Sequence, residues 1–174
     1  MSGHNKWSKI KRQKAGTDAE KSKIFGKLVR FISVEAKKAG GNPNSPSLKA
    51  AIDKARAANM PNDTIERAIK KATDSANMDS ITYEAYGPGG SALIIEALTD
   101  NRNKAAQEIK HILSKNGFEL ASPGSASWAF TKQNNEWVPQ TTIPISESDS
   151  EILEKLIGEL EDNDEVQDVY TNAE

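Results

Sequence analysis

The chain has 174 residues, 36% of them hydrophobic, no cysteine and a formal net charge of −2. That length allows one large domain or two small ones, and the lack of cysteine excludes disulfides, thiolate catalysis and every Cys-containing metal site. The small total hides a polarised molecule: residues 1–71 hold 17 Lys and Arg against six Asp and Glu, a balance of +11, while residues 72–174 hold six against 19, a balance of −13. A basic half joined to an acidic half predicts a polyanion-binding module on a separate body, with nucleic acid as the first partner to test. The N-terminus has no apolar signal-peptide core, and no run approaches the roughly 20 apolar residues that cross a bilayer. A cytoplasmic protein that makes no use of a membrane is expected.

Residues 1–16 carry Lys6, Lys9, Lys11, Arg12 and Lys14 with no acid, and Trp7 and Ile10 as the large apolar groups. Such a segment has too little apolar surface to order itself alone, so it reads as a basic arm. Thr17 and Glu20 form a capping box and Gly40-Gly41 a stop, which places a helix over 18–39. At 100° per residue, Ile24, Phe25, Leu28, Val29, Phe31 and Ile32 share an arc opposite Lys23, Lys27, Arg30 and Lys37. Val34 falls in the basic arc and Glu35 in the apolar one, so the packing partner is not a simple flat surface.

Ser45-Pro46 opens a second helix ending near Asn59, with Leu48, Ile52 and Ala55 as its buried row. Pro61-Asn62 restarts the chain, and Ile65, Ala68, Ile69 and Ala72 give a third. Residues 17–74 thus form a three-helix basic domain whose joint near Asn59–Asn62 superficially resembles a helix-turn-helix.

Beyond Ser80 the apolar period changes from 3.6 to 2. Residues 81–86 and 91–99 flank Gly87-Pro88-Gly89-Gly90 as a hairpin. A helix over 101–115, strands over 125–130 and 137–145, a helix opened by a Ser148/Glu151 capping box, and a strand over 166–170 follow. From Ser91 onward this is the split βαβ order of a ferredoxin-like sheet, with 81–86 as an added edge strand, so residues 75–174 read as an acidic α+β domain.

Lys and Arg on a tail and a helix face suit recognition of the phosphate backbone, and Trp7 is placed to stack on an exposed base. The expected nucleic-acid contacts are Lys6, Trp7, Lys9, Lys11, Arg12, Lys14, Lys23, Lys27 and Arg30. Asn101, Arg102 and Asn103 lie where a strand meets a helix N-terminus, which reads either as an anion or partner site or as a polar cap. The Gly87–Gly90 turn lacks the spacing and trailing Lys of a phosphate loop. His4 and His111 are 107 positions apart and the Asp162–Asp168 run departs from a calcium loop at Val166 and Gln167, so no metal and no cofactor is expected. No activated-nucleophile context is present, and catalysis is not expected. The acidic row from Asp149 to Glu165 is either the wet side of a helix, a surface that repels nucleic acid, or one that docks on the basic domain when no ligand is bound. With no heptad seam, a monomer is the default.

Gly3-His4-Asn5-Lys6-Trp7, Lys23-Ile24-Phe25, the run Ala51 to Pro61, the run Thr64 to Lys71, Tyr86-Gly87-Pro88-Gly89-Gly90 and Thr99-Asp100-Asn101-Arg102-Asn103 resemble the YebC/PmpR family. The resemblance implies a bacterial cytoplasmic regulator of gene expression. It implies either DNA, as a probable transcriptional regulator, or the ribosome and its RNA, as a translation factor akin to mitochondrial activators of cytochrome oxidase synthesis. A ligand- or protein-binding adaptor acting through the acidic domain is the reading from another class. Members of the family insert a further domain between the strands matching 125–130 and 137–145, where this chain has only Thr131–Glu136.

Overall fold

The computed structural model describes residues 18–74, 79–134 and 136–174. The helical part contains α1 (Asp18–Lys38), α2 (Pro46–Ala57) and α3 (Asn62–Asp74). Leu28, Ile32 and Ala36 of α1, Leu48, Ala51 and Ala55 of α2, and Ile65, Ala68 and Ala72 of α3 form one buried cluster with Met60. Apolar surface removed from water, worth about 25 cal/mol per Å², holds the three together, and α2 and α3, at 12 and 13 residues, would be marginal on their own. Both α1 and α2 end in a Schellman motif: Gly41 N–H donates to Ala36 O at 2.9 Å, and Met60 N–H to Ala55 O at 3.0 Å. The left-handed residue is Gly40 in the first case and Asn59, at φ 64°, in the second. The capping box expected from Thr17 and Glu20 lies outside the described side chains.

The second part contains β1 (Asp79–Tyr86), β2 (Ala92–Thr99), α4 (Arg102–Lys115), β3 (Leu120–Ala121), β4 (Phe130–Gln133), β5 (Glu136–Pro139), α5 (Glu147–Asp162) and β6 (Val166–Thr171). The main sheet is wholly antiparallel in the order β3-β1-β2-β6, and β4-β5 form a separate hairpin. This mixed helix-and-sheet architecture departs from the expected ferredoxin-like order. The strand over 81–86, expected at an edge, is internal, and the strands expected over 125–130 and 137–145 do not join the main sheet. The reason is local closure. The Gly87–Gly90 turn lets β1 pair with β2 residue for residue from Asp79↔Thr99 to Tyr86↔Ala92, at less loop-closure entropy than a strand returning from residue 125 onward would cost. With β6 on its other side, β2 has no free edge.

The two faces of β2 are both covered, which is why seven of its eight residues are buried. Leu93, Ile95 and Ala97 face α4 and α5, meeting Ile109, Leu113, Leu153, Leu156 and Leu160. On the opposite face Ala92 and Ile94 pack with Ala126, Ala129 and Phe130, and the hairpin adds Trp137. Phe130 and Trp137 meet edge to face at 6.5 Å, and Trp137 Nε1–H donates to Glu96 Oε1 at 2.6 Å. The segment expected as strand 125–130 is a 3-10 turn over Ser127–Ala129 before β4. Helix α5 is capped by Ser146, whose hydroxyl accepts from Asp149 N–H at 3.1 Å, two residues before the expected Ser148 box.

Candidate nucleic-acid interface

Helix α1 packs on two sides. One belongs to the helical core, and the stripe Lys23, Lys27, Arg30, Val34 turns toward the α+β part. Lys23 Nζ donates to Asp162 O at 3.1 Å and lies 3.9 Å from its carboxylate. Lys27 Nζ donates to Glu161 O. Arg30 Nη1 donates to Asp164 O and, at 3.4 Å, to Leu98 O, and stands 3.6 Å from Glu165 Oε2. Val34 is buried, which accounts for an apolar residue in a basic arc: that arc is a joint rather than a wet face.

The acceptors cluster there for a local reason. The last four carbonyls of a helix have no intrahelical partner, and its C-terminus carries the negative end of the dipole. The last turn of α5 contains no basic residue of its own, so α1 supplies the cations from outside. Asn163 makes the turn out of α5, its Oδ1 accepting from Glu165 N–H at 2.9 Å and its Nδ2 donating to Glu108 at 2.9 Å. That turn sends the Glu165 carboxylate inward, where it is 3% exposed and also 3.4 Å from Lys104 Nζ. A second strut runs from α2, where Lys54 Nζ lies 3.8 Å from Asp168 Oδ2 and 5.7 Å from the centre of the Phe31 ring. Beside these contacts a cleft of about 450 Å³ separates the helices from the sheet, lined among others by Ile24, Leu28, Phe31, Leu98 and Tyr170, with Asn134 and Glu136 of the hairpin.

Three of the nine expected contacts, Lys23, Lys27 and Arg30, are therefore brought together, but against the acidic part of the same chain. Lys6, Trp7, Lys9, Lys11, Arg12 and Lys14 lie outside the described residues. Exposed cations elsewhere on the helical part include Lys21, Lys49, Arg56, Arg67 and Lys70. Arg56 reaches Asn62 Oδ1 at 3.4 Å and Arg67 pairs with Asp63 at 3.4 Å, contacts exposed enough to exchange for others. At the other expected site Asn101 caps α4, accepting from Lys104 N–H at 3.1 Å, and Arg102 pairs with Asp79 at 3.0 Å, while Asn103 is exposed.

Sequence reasoning missed one built feature. Glu84 of β1 is buried and accepts N–H bonds from Gly124 at 2.6 Å, Ala126 at 3.0 Å and Ser127 at 2.6 Å. Burial alone would push its carboxyl up, but the three backbone donors outweigh that and hold it below the ordinary glutamate value. The loop so fixed presents Trp128, whose Nε1–H donates to Tyr86 Oη at 3.0 Å, while Tyr86 donates to Ser125 O. The only signal in the sequence is a Glu at a position whose strand neighbours are Tyr83 and Ala85, too common to single out. Among the described residues no helix is long and apolar enough to cross a membrane, and no group of three or more His, Asp and Glu is placed to hold a metal ion.

Comparison with known proteins fits this arrangement. Residues 5–75 match the model of the TACO1/YebC protein N-terminal domain, and residues 78–135 and 130–173 match that of the TACO1/YebC second and third domain. The two pieces of the latter meet at the β4–β5 hairpin. A protein of Fervidobacterium nodosum named "Probable transcriptional regulatory protein" is 40% identical over 235 aligned residues, covering 99% of this chain and 93% of its own length. That alignment holds at least 235 − 174 = 61 positions without a counterpart here. A protein of the same name from Chlorobaculum parvum is 46% identical over 169 residues, 95% of this chain and 67% of its own. The crystal structure of a conserved hypothetical protein from Aquifex aeolicus superposes with a TM-score of 0.80 at 30% identity, over 90% of this chain and 91% of that one. Matched along nearly its whole length by both domain models and by full-length relatives, the chain belongs to the TACO1/YebC family.

Proposed function

We propose that this protein is a non-enzymatic regulator of gene expression that acts in the cytoplasm by binding nucleic acid through residues 1–16 and the helical unit 17–74, with 75–174 as an acidic unit that positions it or recruits a protein partner. The observation that carries the reading is the division of charge, +11 over residues 1–71 against −13 over the rest. Backbone recognition needs a concentration of Lys and Arg on one module, and affinity of that kind scales with the phosphates neutralised. The names of the relatives point the same way, to a regulator of transcription, and DNA is the target proposed first.

The experiment is binding of the full chain to matched duplex DNA, duplex RNA and ribosomes across a salt series. Sequence-selective DNA binding that persists at physiological salt supports action on transcription. Preference for ribosomes, with weak and steeply salt-dependent DNA affinity, assigns the basic module to ribosomal RNA and the protein to translation. Absence of binding to all three removes the proposal.

A further inference from the structure

Resting on the nucleic-acid reading above, we infer that the joint between α1 and α5 is an autoinhibitory clasp, in which the carboxyl end of α5 occupies the face of α1 that a polyanion would bind. Lys23, Lys27 and Arg30 stand at i, i+4 and i+7 on a single stripe, the arrangement that would track a phosphate backbone. In this structure each of them donates to a backbone carbonyl of the acidic part: Asp162, Glu161, and Asp164 with Leu98. The carboxylates of Asp162 and Glu165 complete an array of negative charge on the same stripe.

The clasp is built to be exchanged. Its principal acceptors are neutral carbonyl dipoles, whereas a phosphate offers the same Lys and Arg a full negative charge and, to Arg, a bidentate partner. Among the described residues Glu165 Oε2 is buried without a hydrogen bond, with Arg30 beyond hydrogen-bond reach at 3.6 Å. Lys23 and Asp162 are largely solvated, with side chains 46% and 69% exposed. The cleft of about 450 Å³ beside them leaves much of the joint unpacked, and a polar, loosely packed contact between two units permits relative motion by default. Separating α1 from α5 leaves the core of each unit intact, because the helical and sheet clusters share no residue.

The test uses the absence of cysteine from the chain. Lys54→Cys with Asp168→Cys places two thiols across the joint while leaving Lys23, Lys27 and Arg30 in place, and a thiol-cleavable bismaleimide then holds the units together. Affinity for a fluorescein-labelled duplex DNA and for a single-stranded RNA is read by anisotropy, before tethering, after it, and after release with reductant. The clasp predicts that tethering weakens binding at least about tenfold and that reductant restores it, the tax expected when the competent state is closed off. Glu165→Gln, which removes the buried negative partner of Arg30, should tighten binding several-fold. Equal affinity in the tethered and released forms overturns the clasp and leaves the nucleic-acid function standing on another face. No binding to either probe in any form removes that function, and the clasp with it.

Discussion

Arg30 of α1 and Glu165, just beyond the end of α5, stand 3.6 Å apart with the carboxylate 3% exposed, so the most buried acid of the second half answers a cation of the first. Removing one partner of such a contact leaves a buried charge with less compensation, although Lys104 remains at 3.4 Å. Arg30→Ala should therefore destabilise by about 1–3 kcal/mol, read as a lower urea midpoint. Arg30→Lys should recover only part of it, because a flexible ammonium lacks the rigid planar geometry with which the guanidinium holds Nη1 among the Asp164 and Leu98 carbonyls and Glu165.

Glu84 gives a pH prediction. Its carboxyl lies below the ordinary value of 4.5 in the folded state, so its contribution is fully present above the unfolded pKa and is lost as pH falls through the folded one. Glu84→Gln should flatten the loss of stability below about pH 4.5 and lower stability at neutral pH by at least about 2 kcal/mol, since an amide accepts three N–H bonds poorly. Denaturation midpoints of both proteins across that range check the sign. Trp128 emission should shift as its loop loosens.

If phosphates are bound by exposed cations outside the joint, Lys49→Ala, Arg56→Ala and Lys70→Ala together should lower affinity for DNA and RNA of any sequence. The slope of log K against log salt should fall by roughly 2–3. An unchanged slope would place the contacts elsewhere, on the N-terminal residues or on the stripe of α1.

Two substitutions should raise stability. A methyl group added at Gly26, in the middle of α1, meets nothing within 4 Å, so Gly26→Ala should gain about 0.5–1 kcal/mol of helix propensity. Asn59→Gly relieves a left-handed residue between α2 and α3 and should gain up to about 1 kcal/mol. Thermal melts of the two single variants measure both.

Gly89→Ala should do the opposite. Its φ is +68° and a Cβ there would stand 2.7 Å from Ile145 Cγ2, ahead of α5, so both the backbone and the packing of the turn resist it. A loss of about 1–3 kcal/mol is expected, with the midpoint of urea unfolding as the measure.

How far the chain could be read from its residues differs from element to element. Helices α1 to α5 announce themselves by apolar period and by Gly or Asn at their ends, because those signals act within one or two turns. The β1–β2 hairpin is equally legible, its turn and both strands being contiguous. The neighbours of β2 are not: whether 79–86 or a later strand lies beside it depends on competition between pairings distant in sequence, which no local pattern records. The same limit hid the Glu84 cradle, whose donors lie about 40 residues downstream. It also hid the fate of the basic stripe. The sequence by itself determined that Lys23, Lys27 and Arg30 share one face of a helix and that the two halves carry opposite charge. Only the tertiary structure decided that this face meets the open carbonyls of α5, because a helix end without cations of its own draws them from whatever the fold brings within reach.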